Sequence, residues 1–166
     1  LLRDAVKLRL RSDVPVGAHL SGGLDSSAIS CLAAEQLPGR LQVFTCGFKD
    51  AGRYDETRYA KLVSEHIGAA YHEYFPSAQD LADTFEKLVY WLDEPVAGAA
   101  VFPQYFLSRL ASENVKVVLG GQGGDELFCG YARYLVGYLE SCLQRSIYGT
   151  APMAGAGRLE DIAPNL

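Results

Sequence analysis

From Leu1 to Leu119 the apolar positions alternate between two spacings. Leu1, Ala5 and Leu8 recur at helical spacing within residues 1–11. The run from Val14 to Leu20 then reads as a strand that leads straight into Ser21-Gly22-Gly23. Leu24 to Gln36 returns to helical spacing, with Ile29 and Leu32 on its apolar side, and Pro38-Gly39 stops it. Leu41 to Phe48 is an apolar run with β-branched and aromatic members, the pattern of a strand buried on both faces.

The alternation continues beyond that strand. Asp55 is placed to cap a helix whose Tyr59, Leu62, Val63, His66 and Ile67 share one face, and Gly68 is placed to close it. Ala70 to Phe75 predicts a third strand. Ser77 and Asp80 then make a weak capping box ahead of Leu81, Phe85, Leu88, Val89 and Leu92, again at helical spacing. Pro103 can start a helix that runs to about Glu113, and Val115 to Leu119 predicts a fourth strand, which ends in Gly120-Gly121-Gln122-Gly123-Gly124.

Strand and helix in alternation predict an α/β fold: a doubly wound parallel sheet with helices on both faces, here over residues 1–148. Residues 149–166, rich in Ala, Gly and Pro, read as a loosely ordered tail or a truncated continuation. Ligands of such sheets bind beyond the carboxyl ends of the strands. Both glycine clusters fall there, which locates the candidate site.

The first cluster, Ser21-Gly22-Gly23-Leu24-Asp25-Ser26-Ser27, joins a buried strand to a helix. Main-chain N–H groups at a helix N-terminus are unpaired, and the helix dipole favours an anion there. Gly22 and Gly23 let the chain approach a phosphate closely, and the hydroxyls of Ser21, Ser26 and Ser27 can add donors. Asp25 would repel a bare phosphate, so its carboxylate makes most sense with a cation such as Mg²⁺ between the two. The plainer alternative is a tight turn in which Asp25 or Ser26 caps the helix. The loop lacks the Lys of a Walker A motif, and no GxGxxG pattern for a dinucleotide is present.

Composition narrows the classes further. The net charge of −5 over 166 residues disfavours a phosphate-backbone binder, so no nucleic-acid partner is expected. Arg3, Lys7, Arg9 and Arg11 read as the solvated face of a helix, since Asp4 and Asp13 are interspersed. The four cysteines form no CxxC pair, which argues against zinc; Cys31 and Cys46, in apolar surroundings, read as buried free thiols. His66 and His72 lack partners at ligand spacing, and Trp91 is accounted for by packing. No apolar run reaches the length of a membrane span and no signal peptide is seen, which sets the expectation of a cytoplasmic protein with no membrane partner. A start at Leu1 without Met is the mark expected of an excerpt from a longer chain.

The first cluster resembles the pyrophosphate-binding (PP) loop of the ATP pyrophosphatases, the adenine nucleotide alpha hydrolase-like group, whose members cleave ATP between its α and β phosphates. The segment from Val117 through Gly120-Gly121-Gln122-Gly123-Gly124-Asp125-Glu126-Leu127-Phe128-Cys129-Gly130-Tyr131 is more specific and is similar to the second nucleotide motif of glutamine-hydrolysing asparagine synthetases. The flanks agree: Ser12 to Gly17, Asp55-Glu56, and Asp93-Glu94-Pro95 followed by Pro103. The resemblance covers roughly residues 5–135.

That resemblance implies a ligase that uses ATP and Mg²⁺ to amidate aspartate through a β-aspartyl-adenylate, releasing AMP and pyrophosphate. It implies that Leu20, Cys46, Gly120 and Gly121 contact the adenosine, several through main-chain atoms, and that Asp25 and Asp125 hold the metal on the pyrophosphate. On the residues alone, Asp125 could instead cap the following helix, and Glu126 reads as a solvated first-turn acid. Ammonia would come from glutamine through an N-terminal glutaminase domain, which this chain lacks; a homodimer is an assembly the resemblance allows. Gln122 stands where many members carry Glu or Asp, a residue tied to adenylate formation. An amide can orient a substrate but cannot serve as a base at neutral pH, so Gln122 is a catalytic candidate of altered role. Cys129 replaces a glycine, which a thiol tolerates where φ is negative. Other readings are a relative that adenylates another acid, such as a β-lactam synthetase, a nucleotide-binding module without turnover, and a tRNA-modifying enzyme with the same first loop.

Overall fold

The structure, a computed structural model, describes residues 1–49, 52, 55–94, 96, 98 and 100–148. The tail expected at 149–166, and Pro95 of the flanking motif, lie outside the described residues. The chain divides into two compact units, Leu1–Gln122 and Gly123–Leu166.

In the first unit the elements run α1 (Leu2–Arg9), β1 (Val16–His19), α2 (Leu24–Ala34), β2 (Gln42–Cys46), α3 (Thr57–His66), β3 (Ala70–Tyr74), α4 (Ala78–Trp91), α5 (Val101–Ser112) and β4 (Val117–Leu119). The four strands form one sheet in the order β3-β2-β1-β4, every pairing parallel. Register sets Ala18 beside Val43 and, on its other side, Leu119. The expected α/β fold is therefore present, each strand one to three residues shorter at its ends than the apolar run that announced it.

Alternation along β2 shows how both faces are covered. Val43 packs with Val6 of α1, Ala33 of α2 and Ala60 of α3 on one face. Its neighbour Phe44 points the other way, onto Ala111 at the end of α5 and Val115 just beyond it. Val43, Phe44 and Thr45 are all essentially inaccessible, as expected of a strand sandwiched between helix layers.

Helix faces depart from expectation in an instructive way. In α3 the buried positions are Ala60 and Ser64, while Tyr59 and Leu62 turn outward. Small side chains let this helix approach the sheet closely, which large ones at the same positions would prevent. In α1 only Val6 is buried, and Leu1 and Leu8 are exposed. The basic residues of α1 do face solvent, with Arg3 paired to Glu35. Helix α4 has its complete capping box, with Ser77 Oγ accepting from the Asp80 N–H at 3.1 Å and the Asp80 carboxylate accepting from the Ser77 N–H at 2.7 Å. No α4 residue is fully buried, and Phe85 and Val89 remain more than half exposed.

The second unit contains α6 (Gly124–Phe128) and α7 (Ala132–Tyr148). No described helix is long and apolar enough to cross a membrane.

Candidate active site

Strand order reverses between β1 and β4: the chain progresses outward through β1, β2 and β3, then returns to place β4 on the other side of β1. At such a switch point the loops after the two neighbouring strands diverge and leave a crevice at their carboxyl ends. Ser21-Gly22-Gly23 leaves β1 there and Gly120-Gly121-Gln122 leaves β4.

The first loop is folded by its own serines. The N–H of Ser21 donates to Ser26 Oγ at 3.2 Å, and the N–H of Gly23 donates to Ser21 Oγ at 3.2 Å. Ser26 Oγ and Ser27 Oγ both donate to the Gly23 carbonyl, at 3.1 and 2.7 Å, so their hydroxyl protons serve the turn. Gly23 is the N-cap of α2 and makes no side-chain cap, which leaves the first-turn amides without a side-chain acceptor. Neither Asp25 nor Ser26 caps the helix, so the plain-turn alternative lacks its key bond. Asp25 sits in the first turn, half-buried.

Two close approaches shape the crevice. Gly22 has φ +93°, and a β-carbon there would lie 2.6 Å from the Glu56 carbonyl oxygen and 2.9 Å from the Ala60 nitrogen. Gly121 lies so near α2 that its β-carbon would meet the Ser26 nitrogen at 2.7 Å. The second loop thus rests directly on the helix N-terminus that the first loop creates.

Of the residues expected to hold adenosine, Leu20 is fully buried, so its side chain belongs to the core and only its main chain faces the loop. Its N–H donates to the Phe44 carbonyl at 2.9 Å and its carbonyl accepts from Thr45 Oγ1 at 2.7 Å, which ties β1 to β2 at the site's floor. Cys46 ends β2, half-buried rather than buried; burial pushes its thiol up to about 11, too high for a thiolate nucleophile at neutral pH. Cys31 is likewise half-buried. Gly120 and Gln122 are exposed beside Gly121. His19, at the end of β1, carries a buried Nε2 without a hydrogen-bond partner, and loss of water holds its pKa below the usual histidine value. His66 is exposed, and His72 is satisfied by Gln42 Oε1 at 2.7 Å and stacks on Phe44.

In the second unit, Gly123 is the N-cap of α6 with φ +93°, so Asp125 does not cap that helix and its carboxylate stands in the first turn. Glu126 accepts from Tyr131 Oη at 2.8 Å, which lowers its pKa and supports a structural role. Cys129 has φ +62° and ψ +37°, the left-handed region, contrary to the negative φ a thiol would favour. The position is a helix C-cap that a glycine fills without strain.

Among the described residues no group of three or more His, Cys, Asp or Glu forms a ready cage for a metal. Mg²⁺ does not require one: it commonly takes one or two carboxylates and completes its shell with phosphate oxygens and water. Asp25, a hard oxygen donor beside uncapped helix amides, fits that manner of binding.

Sequence reasoning placed the start of α3 at Asp55 but missed the packing of its first turn against Gly22 and Gly47. A β-carbon on Gly47, just after β2, would strike the Thr57 methyl group and come within 2.8 Å of Phe75. A glycine directly after a buried strand was the available signal. A cavity of about 730 Å³ lies between α4 and α5, walled by residues such as Leu81, Phe85 and Phe102, and no glycine-loop residue lines it.

Comparison with known proteins agrees with this geometry. The Asparagine synthase family model matches residues 1–162. A Methanocaldococcus jannaschii protein named provisionally as a glutamine-hydrolyzing asparagine synthetase is 45% identical over 139 residues, covering 83% of this chain and 27% of its own length. Asparagine synthetase [glutamine-hydrolyzing] 1 of Bacillus subtilis is 40% identical over 131 residues, covering 79% of this chain and 20% of its own. The NH3-dependent NAD synthetase from Campylobacter jejuni superposes with a TM-score of 0.54 at 19% identity, over 79% of this chain and 58% of that one, a likeness of fold alone. The chain spans about a quarter of the length of the curated relatives it matches. With both glycine loops meeting at the switch point of the expected sheet, the chain belongs to the asparagine synthase family.

Proposed function

We propose that this chain is the ATP-binding part of an enzyme that amidates aspartate to asparagine. The observation that carries the reading is the packing of Gly121 on the first turn of α2, which brings the two nucleotide loops together at the carboxyl edge of β1 and β4. An aspartate carboxylate oxygen attacks the α-phosphorus of ATP, the bond to the bridging oxygen breaks, and pyrophosphate leaves. Ammonia then attacks the β-carbonyl of the aspartyl-adenylate, and AMP leaves as asparagine forms. Both steps balance without an oxidant or reductant.

In this reading the uncapped amides at the start of α2 take the pyrophosphate oxygens, supported by Ser21, Gly22 and Gly23. Ser26 and Ser27 donate to the Gly23 carbonyl, so that this acceptor is already engaged. Main-chain atoms of Leu20, Cys46, Gly120 and Gly121 border the adenosine. Asp25 would hold Mg²⁺, which would neutralise charge on the departing pyrophosphate, and the sequence resemblance alone motivates Asp125 as a second ligand. Gln122 orients the reacting carboxylate by hydrogen bonding and takes no proton. The glutamine-hydrolyzing relatives motivate ammonia delivery from a glutaminase domain elsewhere in the same polypeptide, and action in the cytoplasm. A relative that adenylates another acid is the second reading, favoured by the neutral Gln122.

ATP–pyrophosphate exchange with Mg²⁺ tests both. Exchange that requires aspartate supports asparagine synthesis. Exchange with a different acid alone transfers the assignment to a relative. Measurable ATP binding with no exchange for any acid overturns the catalytic reading.

A further inference from the structure

The first turn of α3 lies against both loops that leave the centre of the sheet. On one side the Glu56 carbonyl, Tyr59 Cβ and the Ala60 nitrogen crowd Gly22, at 2.6, 3.0 and 2.9 Å from the place its β-carbon would take. On the other the Thr57 methyl group fills the space a β-carbon on Gly47 would need. Nothing but glycine fits on either side, so the position of this turn and the path of the phosphate loop are set together. What holds the turn is Asp55, whose Oδ1 accepts the Thr57 N–H at 3.0 Å. Glu56, the formal N-cap, makes no side-chain bond of its own.

We propose that Asp55 is a positioning residue for the first glycine loop. By accepting the Thr57 N–H at the start of α3 it fixes the Glu56 carbonyl and the Tyr59–Ala60 backbone against Gly22, and so sets the direction in which the Gly23–Ser26 amides point. Asp55 acts through the packed turn and makes no contact with the nucleotide. The proposal rests on the reading of the first loop as the pyrophosphate site. An unpaired first turn frays, and a frayed turn no longer fills the space beneath Gly22; the loop then samples conformations that cannot converge on an anion. The Asn side-chain oxygen can accept the same N–H, whereas Ala offers no acceptor. The two substitutions therefore separate the cap from the negative charge.

The test is Mg·ATP binding by titration calorimetry to the wild-type chain, Asp55→Ala and Asp55→Asn, well below the melting temperature of each. Amide hydrogen exchange at Gly22 to Ser26 is read without ligand. Asp55→Ala is expected to raise Kd about five- to tenfold and to speed exchange in the loop by a similar factor, while Asp55→Asn stays within about twofold of wild type. Unchanged loop exchange in Asp55→Ala would overturn the proposal whatever the nucleotide does. Equal loss of binding in both variants would also overturn it, because the carboxylate would then be acting directly on the ligand or its cation. Wild-type chain that fails to bind Mg·ATP, while Asp55→Ala still loosens the loop, would sink the nucleotide reading and leave the mechanical coupling standing.

Discussion

Gly121 stands where a β-carbon would come within 2.7 Å of the amide nitrogen of Ser26 and 3.0 Å of Asp25 Cβ, so the loop after β4 lies in van der Waals contact with the first turn of α2. A methyl group at this position meets backbone and the Asp25 Cβ fixed to it, with no flexible side-chain end to displace. Gly121→Ala is expected to push the two loops apart at a cost of about 1–3 kcal/mol of stability. Calorimetry should show Mg·ATP affinity reduced by at least tenfold in a chain that still folds. Unaltered binding would mean that the contact is incidental to the site.

Adjacent glycines in the first loop make a sharper comparison. Gly22 has positive φ and the Glu56 and Ala60 backbone and Tyr59 Cβ within 3.0 Å of its would-be β-carbon, whereas Gly23 has φ −69° and only Ser21 Oγ, at 3.4 Å, near its own. Gly22→Ala combines a disfavoured conformation with a clash, and is expected to cost about 2–4 kcal/mol and to abolish nucleotide binding. Gly23→Ala loses the freedom of an N-cap glycine and should cost under about 1 kcal/mol. Thermal melts of the two variants side by side check the difference; equal destabilisation would contradict the packing described.

How much of this was legible beforehand follows from what each signal measures. Strands β1 and β2 were visible because buried parallel strands are runs of apolar residues, and Val43-Phe44-Thr45 is buried on both sides; the part-exposed edge strands β3 and β4 were legible from the alternation around them. The two loops were visible because glycine clusters at strand ends have few other uses. The faces of α1 and α3 were only partly legible because periodicity counts large apolar residues: Val63 of α3 and Ile67 at its C-cap do pack against the core, but its fully buried positions are Ala60 and Ser64, whose value is their smallness. The role of α3's first turn was invisible for the same reason: Gly22 and Gly47 meet residues far along the chain, and local pattern carries no record of that meeting. Cys129 misled because side-chain chemistry says nothing of φ.

Cys129 yields a stability prediction of its own. A non-glycine residue in the left-handed region costs about 1–2 kcal/mol, and glycine gives back about 0.5–1 kcal/mol through the greater freedom of its unfolded chain. Cys129→Gly should therefore stabilise the α6 C-cap by about 0.5–1 kcal/mol, and Cys129→Ala should leave it nearly unchanged. Hydrogen exchange of the Gly130 amide, which donates to the Asp125 carbonyl at 2.9 Å, reads this end of α6 directly. Equal protection in both variants would show that the left-handed conformation is not strained there.

The half-buried His19 predicts how stability changes with pH. Burial is the sole cause acting on its imidazole, and it lowers the pKa in the folded chain below the value of 6.5. The unfolded chain then binds the proton more readily than the folded one. Stability is full above about pH 6.5 and falls as pH drops from there toward the lower folded value. The carboxylates of Asp55, Asp80 and Glu126 are held below their ordinary values by hydrogen bonds, so they stay ionised through this range and lose their contributions only in stronger acid. His19→Phe removes both the titration and the unpartnered Nε2. Melting temperatures of wild type and variant should therefore diverge progressively as pH falls from about 7 to 5, with wild type losing more. Parallel curves across that interval would mean that water or a loop movement supplies His19 with a partner as soon as it is charged.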